Sequence, residues 1–406
     1  MALIVQKYGG TSVADTKRIQ NVAERVAKTY DAGNQVVVIL SAMSGVTDKL
    51  IGMAGSLSDM PDKRELDVLL STGEQTTAAL LAIALKSMNY KAESMLGFQA
   101  DIQTDCNFGD ARIVDIGAHR IKSGLDRGEI IVAAGFQGCD AYGNITTLGR
   151  GGSDTSAVAI AAAIEADMCE IYTDVDGIYT ADPNVCDKAR KINTISCDEM
   201  LEMASLGAKV LHKRSVEFAL KHKVLVYVRS SFNEEEGTMV VNGENDMERP
   251  VVSGITFSKN EARITLKRVP DRPGIAAAVF TPVADADINV DMIIQNTQAG
   301  GTTDMTFTVS KDDYKGTLSL EKEIARKIGA EAVLGDENIA KVSIIGVGMK
   351  SHSGVASMMF DALAKENINI IMISTSEIRI SCVVAEDKAE LAVRVLHTAF
   401  GLDKTE

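Results

Sequence analysis

Lys7-Tyr8-Gly9-Gly10-Thr11-Ser12 follows a β-branched run and precedes a helical pattern, the first of three segments whose residues could do chemistry. Glycines at such a junction let backbone N–H groups approach an anion, the helix N-terminus adds positive potential, and Lys7 adds a mobile cation. The segment reads as a phosphate cradle or as plain strand-to-helix punctuation; GxxxxGK[ST] is absent, so it is not a P-loop. The second segment, Thr147-Leu148-Gly149-Arg150-Gly151-Gly152-Ser153-Asp154-Thr155, opens an Ala-rich stretch that Ser153 or Asp154 could cap. A cap leaves Arg150 unexplained, and a guanidinium beside two glycines at a helix N-terminus suits a two-pronged grip on a carboxylate. The third, TDVDGIYTADP from Thr173 to Pro183, follows the run CEIY. Loops at the C-terminal ends of strands in open α/β sheets line the ligand crevice, although an isolated acidic turn is more often a solvated loop. Its spacing and terminal residue exclude an EF-hand.

Positioning such groups requires a sheet. IVQKY, QVVVILSAM, EIIVAAGFQG, CEIYTDVDG and VLVYVRSS read as strands, each followed by a turn and a helical stretch. Ile19, Val22, Ala23 and Val26 share one helical face, as a crossover packed on a sheet requires. A mainly parallel sheet covered on both faces is expected. Acidic residues, Asn and Gly break the pattern between Phe232 and Pro250, which marks a linker. Beyond it DRPGIAAAVFTPVADADINVDMI is echoed by SHSGVASMMFDALAKENINIIMI, with Gly274 matching Gly354 and Asn289 matching Asn369 at an offset of 80 (354 − 274 and 369 − 289). Two copies of one small ferredoxin-like βαββαβ unit are the economical reading.

Composition bounds what the chain can be. With 406 residues, 46% apolar and 24% charged, it suits a soluble protein of several domains. Its apolar runs fall short of the ~20 residues that span a bilayer, and MALIVQKYGG offers no signal-peptide pattern, so a cytoplasmic protein is expected. A net charge of −14 argues against a basic nucleic-acid face. Six cysteines show no CxxC pair and no metal-ligand spacing. GVGMKS at Gly346 is no dinucleotide fingerprint: its third glycine is misplaced and it lies inside the repeat.

KYGGTSV, GRGGSDTSA and TDVDGIYTADP in this order, followed by paired repeats, resemble the aspartate kinases over essentially the whole chain. The resemblance implies a three-layer α/β amino-acid-kinase (carbamate-kinase-like) domain over 1–245 and two α+β ACT domains over 264–335 and 341–406, which could interleave. It implies that Lys7 contacts the transferred phosphoryl group, Arg150 grips the substrate α-carboxylate and Glu74 of Ser71-Thr72-Gly73-Glu74 holds the amino group. Ser41 and Thr47 would line the substrate pocket with Gly151 and Gly152, while Ser153 and Asp154 orient Lys7 and the β-carboxylate. ATP with Mg²⁺ would lie against Lys7, Tyr8, Gly9, Gly10, Thr173, Asp174, Tyr179, Asp182, Pro183 and Lys209. Related kinases often read ADPR where this chain has Asn184, which puts one phosphate contact in question.

An aspartate side chain, with an ordinary pKa of about 3.9, needs no general base before it attacks phosphorus. The expected reaction is therefore ATP-dependent phosphorylation of the aspartate β-carboxylate, with acetylglutamate kinase, glutamate 5-kinase or a non-catalytic amino-acid sensor as rivals. The repeats are expected to bind lysine and threonine. In the first copy the site would be Asp271, Pro273, Gly274, Ile275, Asn289, Val290, Asp291 and Gln295. In the second it would be Ser353, Gly354, Val355, Asn369, Ile370, Ser376 and Glu377. Such repeats usually pair across subunits, so a homo-oligomer is expected, and Met247 could start a separate regulatory chain.

Overall fold

The β-branched runs of the first half become strands of one sheet, and the Ala- and Leu-rich stretches between them become its helices. The computed structural model describes residues 1–208, 210–243, 251–298 and 300–404; Lys209 and Met247 lie outside the described residues. The chain divides into two units, Met1–Tyr179 with Lys191–Met247, and Thr180–Arg190 with Glu248–Glu406. The span 1–245, expected as one domain, thus gives up the piece Thr180–Arg190 to the second unit.

The first unit runs β1 (Leu3–Tyr8), α1 (Thr16–Asp31), β2 (Gln35–Leu40), α2 (Val46–Gly55), α3 (Lys63–Ser87), β3 (Ala92–Met95), β4 (Ile130–Ala134), α4 (Gly152–Ile164), β5 (Met168–Thr173), β6 (Thr194–Ser196), α5 (Lys213–His222), β7 (Val226–Ser230) and β8 (Thr238–Val241), with shorter elements between. Among the described residues these strands form one sheet in the order β6-β8-β7-β5-β1-β2-β4-β3, parallel except for β7 with β8. The expected face of α1, Ile19, Val22, Ala23 and Val26, is buried, and Asp15 caps the helix by accepting the Arg18 N–H at 2.8 Å. β1 sends its crossover to β2 on one side, whereas β4 leads through α4 to β5 on the other. The sheet therefore reverses direction beside β1, where ligands of open α/β sheets bind. Lys7 stands level with Ile39 of β2 and Ile171 of β5 at this C-terminal edge.

Helix α3 is apolar and long enough to cross a membrane by composition, but it carries Asp67 and Glu74, both buried in the first unit. Helix α4 is buried nearly all round, which its small, apolar sequence permits.

The second unit contains β9 (Gly254–Pro270), α6 (Ile275–Asp285), β10 (Ile293–Gln298), β11 (Thr302–Val309), α7 (Lys311–Ile328), β12 (Ala332–Ile345), α8 (Val355–Lys365), β13 (Met372–Thr375), β14 (Arg379–Ala385) and α9 (Ala389–Ala399). Its strands form one antiparallel sheet ordered β10-β11-β9-β12-β14-β13. Its two larger cores among the described residues each draw on β9. Ala262, Ile264 and Leu266 of β9 pack in one with Val279, Met305 and Phe307; Ile255 of the same strand packs in the other with Val342, Met359 and Leu396. The first copy is the complete βαββαβ unit expected. Among the described residues the second has no strand of its own after α9, and the N-terminal half of β9 fills that place, pairing Gly254 through Ser258 with Ile345 through Lys341. Ala181 and Cys186 of the Thr180–Arg190 piece complete this second core.

Gly274 and Gly354 have φ of +87° and +90° and open α6 and α8, so the turn glycines of the repeat are matched in conformation as well as position. Asp291 is already engaged: its carboxylate pairs with Lys341, which also meets Glu261 at 2.8 Å and is only 4% exposed. Lys341 and Glu261 occupy equivalent positions of the two copies (341 − 261 = 80).

Glu321 on α7 is fully buried and neither carboxylate oxygen has a hydrogen-bond partner, so burial pushes its carboxyl up to about 7. Unfolded, the group ionises near 4.5; between that pH and about 7 only the folded form keeps its proton. Stability is therefore highest below this window and falls as pH rises through it, by on the order of 1–3 kcal/mol. Glu321→Gln, which cannot ionise, should raise Tm more at pH 8 than at pH 5.5. Equal shifts at both would show that ionisation is not the cause.

Candidate active site

Period-2 alternation sends Lys7 and Tyr8 to opposite faces of β1. Tyr8 is fully buried with its ring stacked on Tyr172 at 4.7 Å, so its side chain does not face a nucleotide as expected. The Gly9 N–H is likewise taken, donating to the Tyr172 carbonyl at 3.1 Å, which leaves the cradle to the residues that follow. Lys7 emerges on the other face and pairs through Nζ with Asp154 Oδ1 at 2.6 Å.

Asp154 stands in the first turn of α4. The N-cap is Gly151, at φ +70°, with no side-chain cap, rather than Ser153 or Asp154. Only glycine suits that place, since a Cβ at Gly151 would lie 2.1 Å from His212 Cγ. Gly149, at φ +72°, is pressed in the same way against Asp110, with a Cβ falling 2.7 Å from its Oδ1. Close approach from two directions thus shapes the turn that carries Arg150, which is itself exposed.

Across the pocket, Glu74 sits midway along α3. Its Oε1 accepts the Ala42 N–H at 3.0 Å, while the buried Oε2 has no partner; burial pushes the carboxyl up to about 7. Ser41, at the end of β2, donates its N–H to the Tyr8 carbonyl at 3.1 Å and accepts from Thr77 Oγ1 at 2.9 Å. Thr47 opens α2. A cavity of about 260 Å³ brings together Lys7, Ser41, Thr47, Glu74 and the run Gly149 to Asp154. Its walls hold one cation–carboxylate pair, one buried carboxyl with an unpartnered oxygen and one exposed guanidinium. That set complements a small zwitterion bearing a second carboxylate.

Two lining residues were missed, Ala42 and Phe136. Phe136 has φ +67°, a strained value for its type, and nothing in GFQG marks it beyond the end of a strand. Of the residues expected to meet the nucleotide, the first unit holds Thr173, Asp174 and Tyr179. Thr173 Oγ1 donates to Asp174 Oδ1 at 3.1 Å, and the Tyr179 hydroxyl donates to Asp176 at 2.9 Å. Asp182 and Pro183 lie in the piece that belongs to the second unit. There the Asp182 carboxylate accepts the Asn184 N–H at 2.9 Å and its amide at 3.0 Å.

Residues 2–230 match the amino acid kinase family, and residues 263–327 and 342–400 each match the ACT domain. An aspartate kinase of Stutzerimonas stutzeri is 56% identical over 404 residues, covering 99% of this chain and 98% of that protein. Aspartokinase III of E. coli, solved with aspartate and ADP in its R-state, superimposes with a TM-score of 0.81 at 28% identity, covering 98% of this chain and 99% of that one. The same enzyme with lysine and aspartate in its T-state gives a TM-score of 0.77 at 28% identity, with the same coverage. The chain belongs to the aspartate kinases, as a member of the amino acid kinase family that carries two ACT domains.

Proposed function

We propose that the chain transfers the γ-phosphoryl group of ATP to the β-carboxylate of aspartate, releasing ADP and 4-phospho-aspartate. The observation that carries this reading is the convergence of Lys7 with Asp154, Glu74 and Arg150 on one small cavity. The aspartate and ADP held by the E. coli relative support both ligands. Arg150 binds the α-carboxylate and Glu74 the α-ammonium, with Ser41 and Thr47 beside them, so the β-carboxylate is turned towards Lys7. An unpaired Glu74 or Arg150 costs several kcal/mol when the wrong ligand enters, about 2–5 by analogy with split charge pairs, and this is the source of selectivity.

No base is required. An ionised carboxylate oxygen forms the new O–P bond as the bond to the β-phosphate oxygen breaks, and the electron pair leaves on ADP. Lys7, steadied by Asp154, neutralises charge on the transferred group, and the N–H groups at the start of α4 add positive potential there. Among the described residues no cluster of His, Cys, Asp or Glu could hold a metal by itself, which suits an ion that arrives on the nucleotide. Mg²⁺ bound so would neutralise charge between the β- and γ-phosphates. The nucleotide is assigned to Gly10, Thr173, Asp174 and Tyr179 and, by family resemblance, to Lys209.

The second unit is assigned to feedback inhibition by lysine and threonine. Lysine has support from the E. coli relative; threonine rests on the difference between the two copies, Asp271-Arg272-Pro273 against Ser351-His352-Ser353 before their glycines. Gly274 and Gly354 would offer helix N-termini to an effector carboxylate, with Asn289, Gln295 and Asn369 for its other groups. Edge strands β10 and β13 expose Ile293 and Ile373 at equivalent positions, 54% and 41% accessible, which favours pairing with a second copy. A regulatory chain begun at Met247 would hold β9 and everything after it but not Thr180–Arg190. The enzyme is assigned to the cytoplasm.

A coupled assay of ADP release with aspartate, acetylglutamate and glutamate in parallel tests the reading. Turnover is expected with aspartate alone, falling when lysine, threonine or their mixture is titrated in. Turnover of another acceptor would move the chain to that kinase, and none at all would favour the sensor.

A further inference from the structure

We infer that Arg214 is a positioning residue for the aspartate α-carboxylate, acting through the loop that carries Arg150. The inference rests on the assignment of Arg150 made above. Arg150 lies between two glycines in left-handed conformations, Gly149 and Gly151, so regular secondary structure does not hold its backbone. The loop must be anchored from outside.

Two charged side chains do this at consecutive residues. Asp67 of α3, 1% exposed, accepts the Thr147 N–H at 2.8 Å, the Thr147 hydroxyl at 2.6 Å and the Gly109 N–H at 3.0 Å. Arg214 of α5 donates to the Leu148 carbonyl at 2.5 Å, the Ala111 carbonyl at 2.9 Å and Asp110 Oδ1 at 3.0 Å. One guanidinium thus ties the residue two before Arg150 to the loop on its other side. Asp110 is largely exposed, so that ion pair adds little; the two carbonyl bonds carry the tie. They need the fixed fork of a guanidinium, which a lysine cannot reproduce.

Arg214 also stands where a cation is unwelcome. It lies in the first turn of α5, at the positive end of the helix dipole. Its position there is explained by what it reaches, and His212, from the same turn, packs against Gly151. Without Arg214 the glycine-flanked turn has more conformations, and Arg150 spends less time where the α-carboxylate arrives.

Arg214→Ala is expected to raise KM for aspartate about 10- to 100-fold, the span for losing hydrogen bonds from a charged group, with KM for ATP within about twofold. The preference for aspartate over its α-amide should shrink, and Arg214→Lys should rescue little. In a double-mutant cycle, Arg214→Ala should add nothing to KM for aspartate in an Arg150→Ala background. Arg214→Gln, which keeps two N–H donors, serves if the alanine variant does not fold. An equal further rise in the Arg150→Ala background, or a parallel rise in KM for ATP, overturns the proposal, because Arg214 would then act on the fold at large. If Arg150→Ala raises KM for aspartate and Arg214→Ala does not, the inference fails alone. If Arg150→Ala leaves it unchanged, the assignment of Arg150 fails first.

Discussion

Lys7→Ala is expected to lower kcat by about three orders of magnitude while changing KM for aspartate and ATP far less. Removing one preorganised donor from a developing charge costs about 10²–10³ in rate, and here the donor is a full cation in a pocket that shields it from water. Lys7 is 8% exposed and its ammonium is held by the ion pair with Asp154, which defines its position. The fold should survive, because the orphaned Asp154 lies in the first turn of α4, where the helix N-terminus stabilises a carboxylate. Single-turnover measurement of phospho-aspartate, beside a melting curve, separates the two effects. A folded variant with kcat within about threefold of wild type would remove Lys7 from the mechanism.

Glu74→Gln should raise KM for aspartate about a hundredfold at pH 8, within the 2–5 kcal/mol span for splitting a buried charge pair. The more diagnostic result is the loss of a pH dependence. Burial holds the Glu74 carboxyl at about 7 in the free enzyme, and only its ionised form pairs with the substrate ammonium. Above that pH the anion is ready; below it, binding must expel a proton, so wild-type KM should rise about tenfold per pH unit as pH falls. The glutamine variant has no such proton and its KM should stay flat between pH 6 and 8. A variant that kept the wild-type slope would assign the titration to another group.

What the sequence made readable was local or repeated. The α1 face followed from helical period, and the paired glycines followed from an echo in which both copies kept one turn conformation. The lining of the candidate cavity was legible because each of its charged groups sits in a short run with a recognisable backbone reason to be there. Tyr8 was misassigned though the means were at hand: a strand that aims Lys7 into the pocket aims its neighbour away. The bounds of the first domain hid something else, since contiguity in sequence masked the passage of Thr180–Arg190 into another core, a matter of packing between distant segments. Arg214 was invisible because two of its three partners are carbonyls, which every residue has. Asp291 looked free for an effector because Lys341, its partner, lies 50 positions away.

The lent strand bears on how the protein is made. A ribosome delivers Gly254–Ser258 long before Lys341–Ile345, the stretch with which that half of β9 pairs. During the interval the first ACT copy can close its own sheet, while the leading half of its first strand waits with open hydrogen-bonding groups. The second copy cannot complete its sheet by waiting for its own end, because the missing strand was synthesised first. Nascent chains stalled once Ala332–Asp336 of β12 is available but Lys341–Ile345 is not should therefore shelter the first copy and leave residues 254–258 open to proteases or to a chaperone that binds extended chain.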